Sequence, residues 1–226
     1  MAFELKQVVP WGRNLEEYKL MFNLSNSELD MRIISFGDGP ASFNAEMTKL
    51  GKSVISIDPI YTFTKAELQQ RILVTKDIVI EQTTNNVENF VWKNIKDIHQ
   101  LEEIRINAMN NFLEDFEIGK SKGRYIYHEL PNKLQFADSS FDIGLSSHFL
   151  ILYSQLGVDF HIKSISEMLR LCNEVRLFPL LNLNIQKSEV LDGIIRFFES
   201  DYELTIAKVD YEFQKNANEM LVIQHK

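Results

Sequence analysis

The chain predicts an α/β protein built on a doubly wound, seven-stranded, mainly parallel sheet. Three observations carry that reading. Short apolar runs alternate with amphipathic helical stretches along most of the length. A glycine turn, Gly37-Asp38-Gly39-Pro40, separates the first apolar run from a helix, and the last two runs have no helix between them. Strands that alternate with helices make a parallel sheet covered on both faces. Two consecutive strands without a crossover make an antiparallel hairpin, here read as leaving one edge strand running backward.

Leu15, Tyr18, Leu20, Met21, Phe22 and Leu24 outline a short amphipathic helix, after a turn at Pro10-Trp11-Gly12-Arg13. Residues 1–30 are read as an N-terminal cap around that helix. Ile33 to Phe36 is too short for a helix and reads as a buried strand. Pro40 is read at the first helical position, where its missing N–H costs nothing. Phe43, Met47 and Leu50 then repeat at helical spacing, and Gly51 closes the helix. Ser53 to Asp58 is the second strand, stopped by Pro59.

From Tyr61 to Lys122 helical periodicity continues with hardly any strand signal, through Leu68, Ile72, Leu73, Val87, Val91, Ile95, Ile98, Leu101, Ala108 and Phe112. A crossover between parallel strands needs only about a dozen residues. Residues 61–122 therefore read as a long helical insertion after the second strand, serving as lid, core extension or dimer face. Arg124 to His128 resumes strand character, and Phe141 to Ser147 is the fourth strand. Ile162, Ile165, Leu169 and Cys172 mark a helix; Val175 to Leu181 is the fifth strand. Leu191, Ile194, Ile195 and Phe198 form one helical stripe before the closing strands, Tyr202 to Val209 and Glu219 to Gln224. The whole of 1–226 reads as a single domain.

Composition narrows the function. The formal charge of −8 disfavours a protein that tracks a nucleic-acid backbone, and leaves a small-molecule substrate open. The lone Cys172 allows no internal disulfide and suits a reducing compartment. Met1 to Pro10 lacks the apolar core of a secretory signal, and no stretch reaches the ~20 apolar residues of a membrane span, so a cytoplasmic location is expected. There is no zinc-type Cys/His spacing, no phosphate loop of the G-x-x-x-x-G-K type, and no G-x-S-x-G elbow.

The glycine turn carries the chemistry. Glycines there let a ligand approach the backbone at the start of a helix. Asp58, about twenty residues on at the end of the second strand, is placed to accept both ribose hydroxyls. Together they describe a nucleoside-binding βαβ unit.

Further along, Leu134-Gln135-Phe136-Ala137-Asp138-Ser139-Ser140-Phe141-Asp142 precedes the fourth strand. With the Gly37–Pro40 loop, Asp58 and the closing hairpin, this stretch makes the chain resemble the class I S-adenosylmethionine-dependent methyltransferases, in a bacterial branch of unknown substrate. The resemblance covers about residues 31–60 and 123–226. It implies a Rossmann-like methyltransferase fold, S-adenosyl-L-methionine as cofactor, and methyl transfer to a small acceptor. It also implies cofactor contacts from Gly37, Asp38, Gly39, Pro40, Asp58, Pro59, Glu129, Leu130 and Ser146. Two departures stand beside the turn: Ser35 where the family places an acid, and Ala41 in place of its third glycine.

Arg13 is read as a partner for the cofactor carboxylate, and Trp11, Tyr61 and Tyr153 as walls of the acceptor pocket. Each has a plainer role as a turn or core residue. His148, after Ser146-Ser147 at the end of the fourth strand, is the candidate general base, or else a hydrogen-bonded histidine that orients its loop. His128 and His161 read as structural. Acidic pairs such as Glu102-Glu103, spaced with lysines and arginines, read as solvated helix faces. Two alternatives stay open: a domain that binds S-adenosylmethionine without transferring the methyl, and an NAD-dependent oxidoreductase, which shares Asp58 but fits the final hairpin less well. A homodimer is also open.

Overall fold

The computed structural model describes residues 11–226. The readings of Met1 to Pro10, including Pro10 in the first turn, lie outside the described residues. Seven strands form one sheet: β1 (Ile33–Phe36), β2 (Val54–Ile57), β3 (Tyr125–Ile126), β4 (Phe141–Ser147), β5 (Cys172–Phe178), β6 (Tyr202–Lys208) and β7 (Glu219–His225). Their order is β3-β2-β1-β4-β5-β7-β6. Every pair from β3 through β5 is parallel, while β7 runs antiparallel to both β5 and β6. The doubly wound Rossmann-like methyltransferase fold is therefore present. The reversed strand, however, is not at the edge as expected: β7 is inserted between β5 and β6. The reason is burial, for Leu221 and Ile223 of β7 are wholly buried, whereas β6 alternates half-buried and exposed residues as an edge strand does.

Alternate residues of β1 feed two cores. Ile34 and Phe36 pack with helix α5 (Val158–Leu171) and α6 (Leu191–Phe198). Ile33 packs on the other face with α1 (Leu15–Phe22) and α2 (Phe43–Lys49). A third core lies between α3 (Lys65–Asn85), α4 (Ile98–Ser121) and β3, around Tyr61, Phe112, Phe116 and Tyr125. No helix among the described residues is long and apolar enough to cross a membrane.

Four local readings change. Pro40 does not open α2, which starts at Phe43; it stays in the turn, where the chain is still rising from the sheet. Cys172 belongs to β5, because α5 passes into the strand with no linker and the strand's polar start, Asn173-Glu174, hides it from an apolar pattern. Leu73 points to solvent, since the buried stripe of α3 is Leu68, Ile72, Val79 and Thr83. Helical periodicity through Val87, Val91 and Ile95 is broken: between α3 and α4 there is one short 3₁₀ turn and then extended chain. The segment also pairs with the β6–β7 loop, outside the insertion. Val91 N–H donates to Phe213 C=O at 2.7 Å and Lys215 N–H to Asn89 C=O at 3.0 Å.

Candidate active site

A cavity opens at the carboxyl ends of β1, β2 and β4, where ligands sit in open parallel sheets. Its floor is the glycine turn. Gly37 and Gly39 both have left-handed φ, +66° and +57°, a conformation that costs glycine little. A Cβ on Gly39 would project into open space, so the path above the turn is clear. The Phe149 ring packs directly on Gly37.

Asp58 caps a 3₁₀ turn after β2. Its carboxylate accepts from Ile60 N–H and from Gly39 N–H, each at 2.8 Å, which ties the strand end to the turn. Burial pushes its pKa up to about 6, against the pull of those two N–H groups. A carboxylate has about four acceptor positions; two are used here, so acceptor capacity toward the cavity remains.

Asp38 faces the other way. Its carboxylate accepts from the hydroxyls of Tyr18, Ser35 and Ser56, and burial raises its pKa despite those bonds. Ser35, one of the two departures beside the turn, is thus one of the donors to Asp38. Tyr61 does not line the cavity: it is fully buried and holds the turn from beneath, its hydroxyl donating to Gly39 C=O at 2.8 Å.

Beyond the turn stands a second network. Asn14 caps α1, and Glu17 completes the capping box, N–H of Asn14 to Glu17 at 3.2 Å. The same Glu17 carboxylate accepts from Arg105 Nη1 at 2.5 Å and from the Tyr211 hydroxyl at 3.0 Å, while Arg105 Nη2 reaches Tyr211 at 3.3 Å. Burial would raise Glu17, but the Arg105 guanidinium holds it below the usual range. Arg13 donates to Trp11 C=O at 3.2 Å, and its pKa is lowered by burial and by Arg105 nearby. The Nε groups of Arg13 and Arg105 are buried, and neither has a partner among the described residues.

His148 lies between the two networks. Its backbone is left-handed (φ +52°), with N–H donated to Phe178 C=O at 2.7 Å. Its Nδ1 is 2.8 Å from Ser147 Oγ, and Ser147 Oγ also lies 3.6 Å from the Met21 sulfur. When Ser147 gives its proton to that sulfur, Nδ1–H donates to Ser147 and Nε2 keeps a lone pair. Burial, with Arg13 and Arg105 adding to it, lowers the His148 pKa well below 6.5, so the ring is neutral at neutral pH.

The cavity continues from His148 into an apolar chamber. Val79 and Thr83 of α3, Leu101 of α4, Phe90 between them, and Phe213 and Ala217 of the β6–β7 loop form its walls. The Phe90 and Phe213 rings stack at 4.8 Å, joining insertion to hairpin loop.

The structure brings together Trp11, Arg13, Gly37, Asp38, Gly39, Pro40, Asp58, His148 and Tyr153 around one cavity. It does not bring Pro59, Glu129, Leu130, Ser146 or Tyr61 to its wall. Pro59 is exposed and Ile60 takes its place. Glu129 is exposed and accepts from Tyr127 at 3.0 Å, while Leu130 packs into the α5–α6 core. Ser146 points away from the wall because strand alternation turns Ser147 to it instead. Sequence reasoning missed Tyr18 and Arg105; the loop from Tyr211 to Asn218 is rich in side chains suited to substrate contact, and Tyr211, Phe213, Gln214 and Ala217 line the cavity. Arg105 had a signal: it interrupts the apolar stripe Leu101, Ala108, Phe112 at helical spacing, which a solvated arginine does not do.

No protein-family description matches the chain. It is 36% identical over 222 residues to an uncharacterized protein of Methanocaldococcus jannaschii, covering 97% of each. Among solved structures it resembles a TehB-like S-adenosylmethionine-dependent methyltransferase from Corynebacterium glutamicum (12% identity, 87% of this chain and 81% of that one, TM-score 0.46). It also resembles an S-adenosylmethionine-dependent methyltransferase from Methanosarcina mazei (13% identity, 87% and 93%, TM-score 0.45). Likeness at this level carries no argument about activity.

Proposed function

We propose that this chain, which belongs to the same family as the Methanocaldococcus jannaschii protein, transfers a methyl group from S-adenosylmethionine to a small-molecule acceptor. The observation that carries the reading is the floor of the cavity. An open glycine turn is tied through Gly39 N–H to the Asp58 carboxylate, in a parallel sheet whose seventh strand runs backward. The cofactor supplies an activated methyl group on a sulfonium, so the protein needs neither nucleophile nor metal for transfer.

The residues present fit that group. Asp58 has acceptor positions left for ribose hydroxyls, Gly39 leaves the approach open, and Ile60 and Phe149 offer apolar faces. Arg13 is our candidate for the carboxylate of the methionine part. The chain's task is then alignment: the walls hold the acceptor atom in line with the methyl, and neutral His148 Nε2 takes the acceptor's proton. The formal charge of −8 supports a small molecule over nucleic acid. The lone buried thiol of Cys172 suits a reducing compartment, and we place the protein in the cytoplasm.

Calorimetry with S-adenosylmethionine, S-adenosylhomocysteine and NAD tests the proposal. The two sulfur nucleosides are expected to bind and NAD to bind weakly or not at all. Preference for NAD overturns it.

A further inference from the structure

The chamber beyond His148 has a chemistry of its own. Its walls are mostly apolar or aromatic, with Thr83 and Gln214 as polar members, and the charged side chain set into them is a cation, Arg105. Arg105 is 1% exposed, and Glu17 and Tyr211 take its two terminal nitrogens. Its Nε–H is left with no acceptor among the described residues, which is costly for a buried charged donor. Glu17 is not part of the cavity lining, and Arg105, Tyr211 and the Asn14 N–H already bond it. Beyond His148 the buried charges are Arg105 and its partner Glu17; Arg13, Asp38 and Asp58 belong to the turn end of the cavity.

We propose that the methyl acceptor is a small aromatic molecule bearing an anionic group, with its ring against Phe90, Leu101 and Phe213 and its anion completing the hydrogen bonding of Arg105. Charge complementarity argues for an acid over an amine: a cation entering this chamber meets Arg105 with an unfilled N–H, while Asp58, the carboxylate with spare acceptor positions, stands at the glycine turn and is assigned to the cofactor. The stacked pair Phe90–Phe213 argues for a planar body. The inference rests on the methyltransferase reading, since Arg13 is there assigned to the cofactor carboxylate and only Arg105 is left for the acceptor.

Phenylacetate, phenylacetamide and phenethylamine, three probes with one body, separate the possibilities by calorimetry on the full chain saturated with S-adenosylhomocysteine. Phenylacetate is expected to bind roughly tenfold or more tightly than the amide, the size of a charge-assisted hydrogen bond, and the amine not at all. Arg105→Gln should erase the preference for the acid. Because Arg105→Gln removes a buried ion pair, Thr83→Phe serves as the second variant. It fills the chamber and should abolish phenylacetate binding with S-adenosylhomocysteine binding unchanged.

Equal binding of acid and amide, preference for the amine, or failure of all three probes overturns the inference. So does competition between phenylacetate and S-adenosylhomocysteine, which would put the anion on Arg13. Failure of S-adenosylhomocysteine itself to bind instead overturns the methyltransferase reading, a separate outcome read in the first titration.

Discussion

The floor of the cavity is assembled from sequence neighbours, its far wall from residues scattered over the chain. Ser35, Asp38, Gly39 and Asp58 lie within one βαβ unit, and their bonds span 3 to 19 positions. Glu17, by contrast, is 88 positions from Arg105 and 194 from Tyr211. The floor is therefore fixed by local strand and turn geometry. The wall holds only when α1, α4 and the β6–β7 loop have all docked. On the proposed reading, the nucleoside end of the cavity is a local property of this fold, whereas the acceptor end is a long-range one.

Removing Arg105 should damage the wall most. Arg105→Ala leaves Glu17 buried and unpaired and is expected to cost about 3–5 kcal/mol of stability, measured by chemical denaturation. A loss below about 1 kcal/mol would mean the triad is solvated, as surface ion pairs are.

Asp58→Ala probes the floor. It should weaken S-adenosylhomocysteine by about 1.5–3 kcal/mol while leaving the wall intact. Unchanged affinity in calorimetry would displace the ribose site from Asp58. The same carboxylate gives a pH test. Because burial raises its pKa to about 6, it takes up a proton as pH falls through that value. Cofactor affinity should then drop below about pH 6 and hold steady above it. The sign for stability is opposite: the folded state keeps this proton more tightly than the unfolded chain, so Asp58's contribution to stability declines as pH rises from about 4 toward 6. Asp58→Asn should remove both trends.

The smallest effect is expected at the seam between insertion and hairpin. Phe213→Ala loses its aromatic partners at a cost of about 1 kcal/mol, and should speed hydrogen exchange at the Val91 and Lys215 amides without touching the Asp58 site. If exchange is unaltered, the backbone bonds alone hold the seam. His148 offers a spectroscopic check: its ring should show no protonation near 6.5 in the folded protein.

Much of the floor was legible in the sequence, because strand, glycine turn and acid follow each other in fixed spacing. Asp38 was read as a cofactor contact, yet its carboxylate is turned inward onto three hydroxyls. Nothing in the spacing of Ser35, Ser56 and Tyr18 announces that they converge. The segment 86–97 looked helical because Val87, Val91 and Ile95 fall at spacings of four, a coincidence that tertiary pairing with Phe213 and Lys215 overrides. Trp11 and Arg13 stand beside the turn, since the Ser42 N–H bonds to Arg13 C=O at 3.0 Å and draws the entry of α1 onto it.

By itself the sequence determined the α/β class, the glycine turn and the reversed hairpin, all of which follow from periodicity and from the backbone demands of glycine. Only the tertiary structure decided that β7 sits inside the sheet, that Arg105 is buried in the far wall of the cavity, and that insertion and hairpin loop share one seam. Those outcomes depend on contacts between distant segments, and local pattern carries no information about which distant partner will meet a buried charge.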